Sequence, residues 1–107
     1  MFYTRDETGY KKPLEGIIFK TLVYGENTLL TEFRLEKGRT LPVHRHQYEQ
    51  TGYLVSGRLN LIIGEEIFHA ESGDSWCIPG DVDHGAEVIE DSIAIEVFSP
   101  VREDYLP

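Results

Sequence analysis

The stretch PVHRHQYEQTGYLVSG, residues 42–57, carries two of the chain's four histidines, separated by a single arginine. On a β-strand, residues i and i+2 point to the same face. His44 and His46 would then present two imidazoles side by side, a pair able to chelate a borderline metal such as zinc, nickel, copper or iron. An HxH pair alone is a weak signal. Glu49 and Gln50 follow it directly, and either could complete a site.

Outward from this stretch, short β-branched and aromatic runs alternate with glycine, asparagine and aspartate. GIIFKTLVY, TLLTEFRLE, LPVHRH, QTGYLVS, RLNLII, EIFHA, SWCIP, GAEVIE and SIAIEVF read as strands, with GEN, KG, SG, GEE, ESGD, PGDVD and ED as the turns between them. In the second run, Leu29, Thr31, Phe33 and Leu35 share one face, while Leu30, Glu32, Arg34 and Glu36 share the other. No window shows a capped helical stripe. About nine short strands at regular spacing predict an all-β sandwich or barrel. Residues 1–15 are polar and poorly patterned, an N-terminal arm or added edge strand. Residues 16–107 form the barrel domain.

The composition limits the partners. At 107 residues the chain suits one domain. Its formal charge of −9 argues against nucleic acid or an anionic membrane. An anionic small molecule stays possible, because one buried arginine can override the mean field locally. A single cysteine, Cys77, precludes an internal disulfide and fits a reducing compartment. The N-terminus MFYTRDETGYKKP lacks the apolar run of a signal peptide, and no segment reaches transmembrane length, so the expected location is cytoplasmic.

Two motifs now come together. Gly38, five residues, His44-x-His46, three residues, Gln50, six residues and Gly57 form the first. Gly73, five residues, Pro79, and then His84 form the second. In this order they resemble the cupin superfamily, small jelly-roll (double-stranded β-helix) barrels. Three departures are visible: Gln50 replaces the usual acid, glycine stands at 80 rather than 81, and Val88 replaces an asparagine. The resemblance implies His44, His46, Gln50 and His84 as ligands of one divalent transition metal (Ni, Zn, Fe, Mn or Cu). Glu49 lies one place too close to His46, unless a shifted turn brings it in. Three imidazoles and an amide would leave the ion's charge uncompensated, making a stronger Lewis acid that is held less tightly.

The C-terminal run SIAIEVFSPVREDYLP is similar to the ending of the small pectin-degradation cupins, which also carry HxHxxxQ. That resemblance implies ring opening of 4,5-unsaturated monouronates, a small anionic sugar as partner, and lyase or isomerase chemistry. An oxygen-using metal cupin and a non-catalytic sugar- or metal-binding module are the alternatives. Period-two alternation places Ser92, Ala94, Glu96 and Phe98 on one face, and Ile93, Ile95 and Val97 on the other. If the first face lines the barrel, Glu96 is an enclosed catalytic acid/base, where the family has aspartate. Arg102 suits a uronate carboxylate, or else it pairs with Glu103 or Asp104 to close the tail. Trp76 reads as core, as interface, or as an aromatic wall that binds the sugar. Tyr53 should point away from Gln50 and pack, His69 should be a surface residue, and Cys77 should be a small buried hydrophobe. Apolar residues on both faces of the last strand predict a homodimer through an outer sheet face.

Overall fold

The computed structural model describes residues 1–107. It contains eight strands: β1 (Lys11–Leu14), β2 (Ile17–Tyr24), β3 (Leu29–Leu35), β4 (Thr40–His44), β5 (Glu49–Ile63), β6 (Glu66–Glu71), β7 (Ser75–Ile78) and β8 (His84–Ser99). A single 3-10 turn, Glu103–Tyr105, follows them. No helix is long and apolar enough to cross a membrane.

β5 and β8 organise everything else. They pair antiparallel from Glu49↔Ser99 to Ile63↔His84, with irregular register between Leu54 and Leu59. The first half of β5 also pairs with β7, and the second half with β6. β8 does the same in reverse, its first half pairing with β4 and its second with β3. One layer therefore reads β1-β2-β3-β8-β5-β7 and the other β4-β8-β5-β6, both built on the same bent pair. Each of these strands reads in the sequence as two, because Ser56-Gly57 in β5 and Glu90-Asp91 in β8 have the composition of turns.

The bend has a local cause. Gly57 has φ +98°, and a Cβ there would stand 2.2 Å from Ser92 Oγ and 2.5 Å from the Asp91 carbonyl. Only glycine adopts this conformation without strain and leaves that space free. Ser92 locks the corner, since its hydroxyl accepts from the Arg58 N–H at 3.1 Å and donates to the Glu90 carbonyl at 2.7 Å.

Between the layers lie Ile17, Leu35, Leu54, Leu59, Ala70, Val88 and Ala94, with Phe33, Leu41 and Trp76 packed against them. Burying each large aliphatic side chain contributes about 2 kcal/mol. Val88, which replaces the motif asparagine, is one of these core residues. At the far end Phe19 stacks on Phe33 and touches Tyr105, whose ring also meets Phe98. The C-terminal tail is tied there by the Thr21 hydroxyl, which donates to the Tyr105 carbonyl at 2.6 Å. The N-terminal arm lies on the outer face, where Tyr10 donates to Glu32 and Arg34 lies over the Tyr10 ring.

Two expectations need correction. Cys77 is exposed, not buried. On β7 the inward parity belongs to Trp76 and Ile78, which leaves Ser75 and Cys77 outside. Tyr53 does point away from Gln50, but 48% of it is exposed rather than packed.

Replacing Gly57 with alanine should cost about 2 kcal/mol or more, combining left-handed strain with a clash. Urea unfolding of the variant would measure this, and an unchanged midpoint would show that the corner tolerates a side chain.

Candidate metal centre and adjoining carboxyl

His44 ends β4 and is the register partner of His84, the first residue of β8. The two are thus neighbours on adjacent strands rather than partners across the barrel. His46 lies in the loop that follows β4. That loop is held against the loop before β8 by Asp81 N–H donating to the His46 carbonyl at 2.8 Å and by Arg45 Nε donating to Asp83 at 2.8 Å. This close packing explains the displaced glycine. A Cβ at Gly80 would lie 2.5 Å from the Gln47 carbonyl, so glycine is needed there. The left-handed conformation falls instead to Asp81, at φ +62°, which aspartate tolerates better than most residues.

Candidate ligand atoms of His44, His46 and His84 lie within 4.8 Å of one another. In each ring Nδ1 faces a backbone carbonyl: Pro42 at 2.8 Å, Tyr48 at 3.0 Å and Val82 at 2.9 Å. A carbonyl only accepts, so Nδ1 carries a proton, and in the neutral ring Nε2 is the nitrogen that presents a lone pair. His84 Nε2 is buried without any hydrogen-bond partner. Gln50 Oε1 stands 3.1 Å from His46 Nε2, two acceptors facing one another. Burial first, and then the Arg102 charge, hold His46 below the ordinary histidine pKa. Burial likewise lowers His84, and the neighbouring imidazoles add to the effect. Three ligand atoms within 4.8 Å of one another, two of them on rings pushed toward the neutral form, and an orphaned acceptor on His84 fit a divalent cation, which would satisfy them at once. Glu49 is exposed and accepts from Cys77 Sγ–H at 3.7 Å, away from this cluster.

Glu96, which is 7% exposed, is linked to the imidazole cluster through Gln50, whose side chain reaches both His46 and the Glu96 carboxyl. Glu96 Oε1 accepts from the Trp76 indole N–H at 3.2 Å, while Oε2 is buried without a partner. Burial pushes its carboxyl up to about 8, and the Gln50 amide and Trp76 indole offset this only in part. The register partner of Glu96 on β5 is Gly52, where a Cβ would stand 2.2 Å from Trp76 Nε1 and 2.6 Å from Glu96 Oε2. The strand gives up a side chain so that indole and carboxyl can meet. Thr31, fully buried, fixes the backbone behind them by donating to the Glu96 carbonyl at 2.9 Å.

Two further walls complete the region. Phe98 packs edge-on against His46, and its ring also lies 4.9 Å from the Arg102 guanidinium. Arg102 pairs with Asp104. Sequence reasoning put Phe98 on the same face as Glu96 but missed its contact with His46, which the residue pattern does not encode. On the other side an open cavity of about 620 Å³ is lined by Leu61, Ile63, Phe68, Ala70 and Trp76, among others. Trp76 is a wall shared with Glu96, and Ile63 is the register partner of His84. His69 lies on the rim, exposed and bonded to Asn60.

The cupin-domain family matches residues 31–99, most of the barrel. The chain belongs to this family. The pectin degradation protein KdgF of Dickeya dadantii (strain 3937) is 26% identical over 107 residues, covering 98% of this chain and 97% of the relative. The structure of KdgF from Halomonas sp. superposes with a TM-score of 0.92 at 29% identity, covering 99% of this chain and all of the other. An RmlC-like cupin from Shewanella frigidimarina NCIMB 400 gives a TM-score of 0.91 at 30% identity, over 98% and 95% of the two chains.

Two measurements test the centre. Titrating zinc or nickel into chelator-treated protein should raise its melting temperature, and His84→Ala should abolish the shift while remaining folded. An equal shift in the variant would remove His84 from the ligand set. The second test concerns Glu96 in the metal-free protein. The unfolded glutamate loses its proton near 4.5, whereas the folded one keeps it to about 8. The native state therefore binds more protons across that window, so this contribution is full below the lower value and lost as pH rises through the upper one. The lowered histidines His46 and His84 work in the opposite sense but are common to both proteins, so the urea midpoint of the native protein minus that of Glu96→Gln should fall between about pH 5 and pH 8. Parallel profiles would mean that the carboxyl ionises in its ordinary range.

Proposed function

We propose that the protein is a metal-dependent enzyme of pectin or alginate breakdown, opening the ring of 4,5-unsaturated monouronates to their linear keto form. One observation carries the reading: a buried carboxyl, Glu96, held at one oxygen by Trp76 and bare at the other, is linked through Gln50 to an imidazole cluster. A module that only bound sugar would gain nothing from an enclosed acid whose desolvation is costly. Likeness to two KdgF proteins, one of them the pectin degradation protein of Dickeya dadantii, points to the substrate class.

The reaction needs no oxidant. The anomeric hydroxyl loses its proton, the carbonyl at C1 forms, and the C1–O5 bond breaks. The released electrons stay on O5 as an enolate across C4 and C5, and a proton added at C4 yields the ketone at C5. One proton leaves an oxygen and one arrives at a carbon, so a single carboxyl can serve both ends. Glu96 Oε2 is assigned this shuttle, and the bond from Trp76 to Oε1 fixes which oxygen faces the sugar. His44, His46, Gln50 and His84 would hold the metal, whose chemistry is to polarise sugar oxygens as a Lewis acid. Their neutrality leaves that ion's charge free to act on an anionic substrate. Arg102 is assigned the substrate carboxylate, and Trp76 a face for the sugar ring.

Loss of the unsaturated chromophore of 4,5-unsaturated galacturonate should be accelerated by the metal-loaded protein. Glu96→Gln should slow it about 100-fold or more while metal content is retained. Full turnover by that variant would take the proton shuttle away from Glu96. No turnover by the native protein on galacturonate- or guluronate-derived substrates would rule out the reaction.

A further inference from the structure

We propose that Asp104 is a built-in competitor for the substrate carboxylate, occupying Arg102 until an incoming uronate displaces it. This rests on the reading of the ligand as a uronate. Arg102 is a basic side chain whose charge reaches both His46 and His84. Its guanidinium lies 3.8 Å from the Tyr105 ring centre, 4.9 Å from Phe98 and 5.2 Å from Tyr48. Phe98 and Tyr48 also contact His46, so the cation stands one aromatic ring away from the candidate metal ligands.

The two ends of the ion pair are held very differently. The Arg102 side chain is 12% exposed and that of Asp104 56%. Asp104 lies on the terminal 3-10 turn, which buries no residue and has no side-chain cap. Arg102 is fixed by its aromatic surround, and Asp104 can turn away without disturbing a packed group. The contact is the two-pronged one that a sugar carboxylate would make: Nε donates to Oδ1 at 3.2 Å and Nη2 to Oδ2 at 2.8 Å. The same fork cannot serve both acids.

The arrangement sets specificity. An empty guanidinium among aromatic rings would capture any small anion. With Asp104 in place, every anion pays the same displacement cost, and only one that also contacts the imidazole cluster recovers it. Phe98 and Glu96 lie two residues apart on one face of β8, roughly 7 Å along the strand. A uronate held by its carboxylate beside Phe98 therefore extends toward Glu96. Asp104 is in this sense a specificity-determining residue rather than a catalytic one.

The test is calorimetric titration of D-galacturonate and its methyl ester into the metal-loaded full chain, for the native protein, Asp104→Asn, Asp104→Ala and Arg102→Ala. Arg102→Lys replaces the last should it not fold, and thermal unfolding checks every variant. Both Asp104 variants should bind galacturonate about threefold to fivefold more tightly, the size expected for losing a competing, half-exposed ion pair. The methyl ester should be bound equally by all, and the Arg102 variant should lose its preference for the acid. A merely structural role for Asp104 would weaken binding, the opposite sign. Unchanged or weaker galacturonate binding in both Asp104 variants, with the Arg102 loss intact, overturns the competitor and leaves the uronate reading standing. If the native protein and the Asp104 variants all bind acid and ester alike, both fall.

Discussion

The β5–β8 ladder is the constraint on which everything else depends. Because both strands run through both layers, the segments bearing Gln50 and Glu96 and the segment bearing His84 belong to one hydrogen-bonded pair folded over at Gly57. β4 and β7 then attach to opposite halves of this pair, bringing in His44 and Trp76. Two separate sheets would need packing alone to set the distance between imidazoles and carboxyl. Here the backbone sets it, and side-chain packing only refines it. Precision of this kind matters where displacements of about an ångström change the chemistry.

Three of the ionisable groups of the interior are pushed toward their neutral forms. Burial depresses the pKa values of His46 and His84 and raises that of Glu96, so each shift favours the neutral form. This is the cheapest way to enclose ionisable groups without pairing them. It also accounts for two unsatisfied atoms, His84 Nε2 and Glu96 Oε2, in an otherwise well-bonded barrel. Such orphans weaken a fold unless something else occupies the space between them.

Much of this was legible in the sequence, for identifiable reasons. Strict period-two alternation put Ser92, Ala94, Glu96 and Phe98 on one face of β8, but with apolar residues on both faces it could not say which face lines the barrel; burial of Ser92, Ala94, Glu96 and Phe98 decides that. Motif spacing picked Gln50 over Glu49; in the structure Gln50 Oε1 stands 3.1 Å from His46 and Glu49 is exposed. Parity failed on β7, where four residues, Ser75 to Ile78, mix polar and apolar types and give no phase, so Cys77 was placed inside. The bends were hidden because Ser56-Gly57 and Glu90-Asp91 read equally as turns between strands or kinks within one. Gly52 drew no comment, because a strand glycine reveals its purpose only when the indole and carboxyl above it are known. For Arg102, sequence offered a substrate carboxylate or an acidic neighbour. The observed pairing with Asp104 is the second, and it leaves the first as a question of competition.

A net charge of −9 does not stand against the anionic ligand proposed above, for a reason of distance. Surface charges are screened beyond about 10 Å in physiological salt, so the acidic exterior weakens only the approach. Within the site the local field decides. Arg102 stands behind Phe98 and Tyr48, near enough to lower the histidine pKa values and too enclosed to be hydrated freely. One guanidinium therefore has two effects. Toward the interior it disfavours protonation of His46 and His84, which keeps their lone pairs available. Toward solvent it offers a fork shaped for a carboxylate. Replacing it with a neutral residue would remove both together, whereas lysine would keep the charge and lose the fork. That division separates its electrostatic role at the imidazoles from its geometric role toward an acid.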